Sequence, residues 1–122
     1  MAIEYLDIDH FSLHVENLKE SKAFYQNIMG LQEKVRPNFN FPGAWFQIGN
    51  KELHLISGRE KPVHSGSRGS HTALEVADLK AAHLEISSKW EHVHPIKNRP
   101  DGIEQFFIVD PDGYWIELTQ KS

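Results

Sequence analysis

Hydrophobic and polar positions alternate along residues 10–15, with Phe11, Leu13 and Val15 set against His10, Ser12 and His14. That is the period of a strand with one apolar face. Asn17, with Glu20 three residues later, reads as a helix N-cap, and Leu18, Phe24, Tyr25 and Ile28 then recur at helical spacing. The pattern predicts a helix over 18–29 that ends at Gly30. Strand-like runs follow near 31–36, 44–49 and 51–57, punctuated by Pro37, Pro42-Gly43 and Gly49-Asn50. The first half of the chain therefore reads β-α-β-β-β.

The same order then returns. His10-Phe11-Ser12-Leu13-His14-Val15-Glu16-Asn17-Leu18-Lys19 aligns with His71-Thr72-Ala73-Leu74-Glu75-Val76-Ala77-Asp78-Leu79-Lys80 at an offset of 61, with five of ten positions identical. Asp78 takes the place of the N-cap, and Leu79, Ala82, Ile86 and Trp90 predict a helix over 79–90. Strands are expected near 92–97, 104–109 and 114–119, and Asp110-Pro111-Asp112-Gly113 fits a type I turn with proline second and glycine fourth. The offset is half of the 122 residues, so the chain reads as two copies of one unit, each too small for a generous core of its own. The expectation is a single domain over 1–122, with module one at about 5–57 and module two at about 71–120. Residues 58–70, rich in glycine and serine, are expected to form a polar, flexible connection.

Composition narrows the chemistry. The net charge is −4 with no block of like charge, which argues against nucleic acid and anionic membranes as partners. The absence of cysteine excludes disulfides, thiolate metal sites and a cysteine nucleophile. No run of 18 apolar residues and no leader-like N-terminal pattern occurs, so a soluble, cytoplasmic protein is expected. Neither Gly-x-Ser-x-Gly nor a phosphate-cradling glycine loop is present, which disfavours serine hydrolases and nucleotide hydrolysis.

Eight histidines remain to be explained, and strand parity sorts them. His54, in Leu53-His54-Leu55, and Glu117, in Ile116-Glu117-Leu118, are equivalent in the two copies, and their apolar neighbours point the other way, onto the helices. His10 and His71 have the same parity at the start of each copy. Each copy thus offers one candidate metal ligand on its first strand and one on its last. Three imidazoles and a carboxylate suit one divalent transition metal, Ni²⁺, Zn²⁺, Co²⁺, Mn²⁺ or Fe²⁺, rather than calcium. His14 and Glu75 share that parity two strand steps further on, too far for direct ligation, and His64, His83, His92 and His94 are expected to be solvated.

In this order the residues resemble the vicinal oxygen chelate superfamily, which includes glyoxalase I, fosfomycin- and bleomycin-resistance proteins, methylmalonyl-CoA epimerase and extradiol dioxygenases. The resemblance runs from His10 to Thr119. It is carried by His10-Phe11-Ser12-Leu13-His14-Val15, by Ser21-Lys22-Ala23-Phe24-Tyr25 with Gly30-Leu31, by His71 to Val76, and by Asp110-Pro111-Asp112-Gly113 leading into Ile116-Glu117-Leu118. It implies an α+β fold of two tandem β-α-β-β-β modules forming an open, cup-like mixed sheet with helices on the outer face, often in a homodimer. It also implies metal ligands at His10, His71 and Glu117, with His54 standing where glyoxalase I commonly has glutamate. Gly43-Ala44-Trp45-Phe46-Gln47-Ile48-Gly49 followed by Leu53-His54-Leu55-Ile56 is similar to the glyoxalase-like branch.

The expected activity is that of a glyoxalase-I-like lyase or isomerase, moving a proton next to a metal-bound substrate oxygen, with Glu117 as the candidate catalytic base. Two other readings stand beside it: an extradiol-type dioxygenase, and a non-catalytic protein that binds a small drug or metabolite. Arg36, Arg99 and Lys97 are candidates for gripping an anionic substrate, and Trp45 and Phe107 for lining the site.

Overall fold

The computed structural model describes residues 2–121. The chain divides into two compact units, one ending at Arg59 and the other starting at Glu60. In the first, β1 (His10–His14), α1 (Leu18–Ala23), β2 (Gln32–Lys34), β3 (Gly43–Ile48) and β4 (Lys51–Ile56) form a four-stranded sheet in the order β1-β4-β3-β2. In the second, β5 (Thr72–Glu75), α2 (Leu79–Ser87), β6 (Lys97–Asn98), β7 (Glu104–Val109) and β8 (Trp115–Gln120) repeat it as β5-β8-β7-β6. The first and last strands of each unit pair in parallel and the remaining pairs are antiparallel, so both sheets are mixed and the fold is α+β. The internal repeat is a structural one.

Each helix covers one face of its own sheet. α1 packs on β3 and β4, where Ala44, Phe46, Leu53 and Leu55 are buried, and α2 packs on β7 and β8, over Phe106, Ile108, Ile116 and Leu118. The period of two dictates the rest: His54 and Glu117, each between two core residues, must emerge on the face away from the helix.

Both helices start where the caps predict. The Asn17 side chain accepts the N–H of Glu20 at 3.0 Å, and the Asp78 side chain accepts that of Ala81 at 3.0 Å. Asn17→Ala and Asp78→Ala are each expected to lower stability by about 1 kcal/mol, read as a lower urea midpoint at unchanged slope. The ends differ from expectation. α1 relaxes after Ala23 into a π-helical turn, Phe24–Ile28, which buries Phe24 and Tyr25 side by side, their rings edge to face at 4.8 Å. Gly30, at φ +72°, then reverses the chain as predicted.

The strand expected near 92–97 is broken. Residues 92–94 run beside β7 through His94 N–H to Phe107 O (2.8 Å) and Val109 N–H to His92 O (2.9 Å), but regular pairing resumes only at Lys97. Pro95, which has no N–H to give, accounts for the gap. The turn after β7 forms as predicted: Gly113 N–H reaches Asp110 O (3.1 Å), and the Asp110 carboxylate accepts the N–H groups of Asp112 and Tyr114, each at 2.9 Å.

The connection expected to be flexible is partly ordered. Ser65 Oγ donates to Ser70 O (2.7 Å) and accepts the N–H of Trp115 at 2.9 Å, which pins the segment to the start of β8. His83 is half-buried rather than solvated, its Nε2–H donating to His94 O (3.0 Å) and its ring edge-on to Phe106.

Candidate metal and substrate site

The four candidate ligands occur as two pairs, one per unit. In the second unit, His71 precedes β5 and Glu117 lies in the middle of β8, and their side chains meet at 3.2 Å, Nε2 to Oε1. Two backbone carbonyls, Gly66 O at 3.0 Å and Gly69 O at 3.2 Å, face His71 Nδ1. A carbonyl only accepts, so Nδ1 carries the proton, and in the neutral ring Nε2 is a lone-pair nitrogen aimed at a carboxylate. Two acceptors that close require a cation or a proton between them. Ligands at about 2.1 Å from one metal, subtending roughly 90–109°, lie about 3.0–3.4 Å apart, and the observed spacing fits. The Gly66 and Gly69 carbonyls fix the tautomer that ligation through Nε2 needs.

Glu117 is almost enclosed, with 8% of its side chain exposed, and its second oxygen receives Arg99 Nη1–H at 3.4 Å. Arg99 also pairs with Asp101, whose carboxylate raises the guanidinium pKa and is itself held below its ordinary value by that contact. Arg99, a sequence candidate for substrate, therefore lies against the carboxylate of Glu117, where it orients that group. Phe107, on β7 and paired directly with Glu117 on β8, sets its ring edge-on to His71 at 5.3 Å.

In the first unit, the rings of His10, His54 and Trp45 form one stack. His10 and His54 are 3.9 Å apart, and His54 and Trp45 are 4.1 Å apart and nearly parallel. The Asp9 carboxylate accepts His10 Nδ1–H at 2.7 Å, so Nε2 is the nitrogen that remains for a metal, the usual carboxylate–histidine arrangement. His54 is differently committed. Its Nε2–H donates to Glu52 at 2.9 Å, and Glu52 is in turn paired with Lys34. Those two contacts, His54 first, hold the Glu52 carboxyl below the usual carboxylate range.

Among the described residues no group of three or more His, Asp or Glu side chains converges as a metal site. With Nδ1 protonated, His10 and His71 could each ligate through Nε2, whereas His54 would have to leave Glu52 or ligate through Nδ1.

The chemistry of these pairs can now be set beside known proteins. Residues 7–118 match the family model of the Glyoxalase/Bleomycin resistance protein/Dioxygenase superfamily. The chain belongs to that superfamily. A lactoylglutathione lyase of Neisseria meningitidis is 32% identical, the match covering 93% of this chain and 89% of that one. The crystal structure of a putative glyoxalase family protein from Bacillus anthracis superposes with a TM-score of 0.84 at 27% identity, over all of both chains. The fosfomycin resistance protein FosX of Listeria monocytogenes, solved with Mn(II) and a dihydroxypropylphosphonic acid, shares the fold (TM-score 0.81, 18% identity, 98% of this chain and 95% of that one). That fold, then, accommodates a divalent metal in at least one protein.

Several contributors escape a reading by residue type. Asp9 is adjacent to His10, and Glu52 has the strand parity of His54, so both were within reach of the pattern that found the histidines. The carbonyls of Gly66 and Gly69 carry no side-chain signal at all. Arg36 and Trp45 line one cleft with His10 and His54. No helix among the described residues is long and apolar enough to cross a membrane.

Proposed function

We propose that this chain is a divalent-metal-dependent lyase of the glyoxalase I type, acting on a small 2-oxoaldehyde adduct of a thiol. The observation that carries the reading is the His71–Glu117 pair, an imidazole Nε2 and a carboxylate oxygen 3.2 Å apart, with Arg99 on the second oxygen and two carbonyls on Nδ1. The 32% identical lactoylglutathione lyase supports it. His10, His71 and Glu117 would hold the metal, with His54 as a fourth ligand once released from Glu52. When bound, the metal polarises a substrate oxygen and acidifies the neighbouring C–H. Glu117 would leave the ligand set to act as the base, the histidines keeping the ion: its carboxylate takes the proton from the carbon that bears sulfur and hydroxyl and returns it to the adjacent carbon, while the hydroxyl proton passes to the neighbouring oxygen. The hemithioacetal becomes the thioester of a 2-hydroxy acid with no atom gained or lost. Arg99, bonded to Oε2, keeps the carboxylate aimed through both steps.

The test is elemental analysis of tag-free protein before and after loading with Ni²⁺, Co²⁺, Mn²⁺, Fe²⁺ or Zn²⁺, followed by turnover of the methylglyoxal–glutathione adduct. About one ion per chain, lost in His10→Ala and His71→Ala, together with metal-dependent thioester formation, is the expected result. No retained ion under any loading overturns the reading and leaves a small-molecule binding protein.

One observation favours a second reading. With His54 committed to Glu52, the set His10, His71 and Glu117 is two histidines and a carboxylate, which suits Fe²⁺ with positions left for a catechol and O₂. Iron-dependent oxygen uptake with catechol, absent lyase turnover, would establish the extradiol dioxygenase instead. A homodimer is part of the proposal. If the pairs that share a metal come from two chains, metal affinity falls on dilution below the dimer dissociation constant; if they come from one chain, it does not.

A further inference from the structure

A cleft of about 410 Å³ opens beside the His10–His54 pair within the first unit, and Arg36, Phe39, Phe41 and Trp45 line it. The segment between β2 and β3 turns its two phenylalanines outward instead of into the core. Phe39 is 44% exposed and Phe41 41% exposed. Their rings stack on one another at 5.5 Å, and Phe39 lies 6.0 Å from Trp45. The result is a wall of three aromatic rings with water on one side, a surface that gains by covering a flat apolar group.

Arg36 completes the wall. Its guanidinium lies over both phenylalanine rings, at 4.7 and 4.9 Å, and donates one hydrogen bond, at 2.9 Å, to Phe41 O. A guanidinium has five N–H donors, and among the described residues no carboxylate pairs with this one. Arg99, just past the second strand of the other unit, has two such partners. The acids that line the same cleft are already committed, Asp9 to His10 and Glu52 to His54 and Lys34. The seat of Arg36 is built into the backbone: a Cβ at Gly43 would lie 3.0 Å from both its Nε and its Nη2, and 2.5 Å from Leu55 O. Only glycine leaves that space open.

An unpaired cation on an aromatic wall, next to imidazoles, selects a ligand that is flat and apolar in its body and anionic at one end. We propose that this cleft is a specificity subsite for an aryl carboxylate group, with Trp45, Phe39 and Phe41 covering the ring and Arg36 gripping the carboxylate. The assignment rests on the site proposed above, since it names what the substrate carries beyond its reacting carbons.

The test titrates the full-length, metal-free chain with phenylacetate, 2-phenylethanol and propionate, followed by ¹H–¹⁵N NMR. The Trp45 indole N–H is identified as the resonance lost in Trp45→Phe. Phenylacetate is expected to shift that resonance and the amides of Phe39 and Phe41 saturably, with a Kd at least fivefold below those of the other two probes. Arg36→Met should raise the phenylacetate Kd at least fivefold and leave that of 2-phenylethanol within twofold. Phe39→Leu should weaken both aromatic probes, and the dispersion of each variant's spectrum reports that it is folded. Equal binding of phenylacetate and 2-phenylethanol, indifference to Arg36→Met, or shifts confined to other residues would overturn the proposal. Because binding is read without metal or turnover, a chain that takes phenylacetate but lacks lyase activity fails the function reading alone. A lyase indifferent to phenylacetate fails this one alone.

Discussion

Glu117→Gln is expected to retain most of the metal and to lose turnover of the methylglyoxal–glutathione adduct by a hundredfold or more. Glutamine preserves the shape of the side chain and one oxygen that can ligate, but it removes the negative charge that makes the group a base. General bases contribute roughly 10² to 10⁴ in rate, so the loss should lie in that range and appear in kcat rather than in KM. The geometry makes this substitution informative. Glu117 is nearly enclosed on β8, with His71 on one oxygen and Arg99 on the other, so its amide stays in place instead of swinging into solvent. The measurement is kcat alongside metal content for the same preparation. Full turnover with metal retained would remove the base assignment. Loss of metal and turnover together would make Glu117 a ligand only. Arg99→Met is the companion variant: it frees Oε2 without touching Oε1, and a smaller fall in kcat at unchanged metal content is expected of a residue that positions the base.

Phe46→Ala should produce the largest loss of stability in the first unit, about 3–5 kcal/mol. Phe46 is fully buried on β3, opposite Leu53 of β4, and its ring lies 6.3 Å from that of Tyr25 in the turn that continues α1. Truncating it opens a cavity under the element that covers the sheet, and α1 is too short to hold itself in place without that contact. Trp45→Phe, one residue away, is expected to cost much less despite the size of the indole. Trp45 stacks on His54 at the open face, so a smaller ring leaves no sealed cavity there. Urea unfolding of the two variants measures the contrast. Equal losses would contradict the assignment of the two faces.

The same parity argument shows what could be read without coordinates. Alternation along each strand, two N-cap residues and a repeat at an offset of 61 determine the β-α-β-β-β order, the helical face, and the side on which His10, His54, His71 and Glu117 stand. These are consequences of local geometry, in which side-chain direction follows from position in the strand alone. The family was legible only as a resemblance, carried by His10 to Val15, His71 to Val76 and Ile116-Glu117-Leu118, and the match of residues 7–118 to the family model shows it. Boundaries were less legible. The end of α1 in a π-helical turn and the interruption at Pro95 depend on how Phe24 and Tyr25 fit the core and on where β7 supplies partners.

The repeat and the candidate ligands can thus be read from residue order, and the mixed sheets are what the family resemblance implied. The partners of those side chains come from packing between distant segments. His71 acquires its tautomer from the carbonyls of Gly66 and Gly69, in a segment whose composition suggested mere flexibility. Arg99 is drawn to Glu117, while Arg36 is left on an aromatic wall, though the two are the same residue type just past the second strand of their units. The physical reason is common to all three. A hydrogen bond or an ion pair depends on distances of a few ångströms between groups far apart in the chain, and a backbone carbonyl bears no mark in the sequence. Periodicity assigns a side chain to a face, and packing selects its partner there.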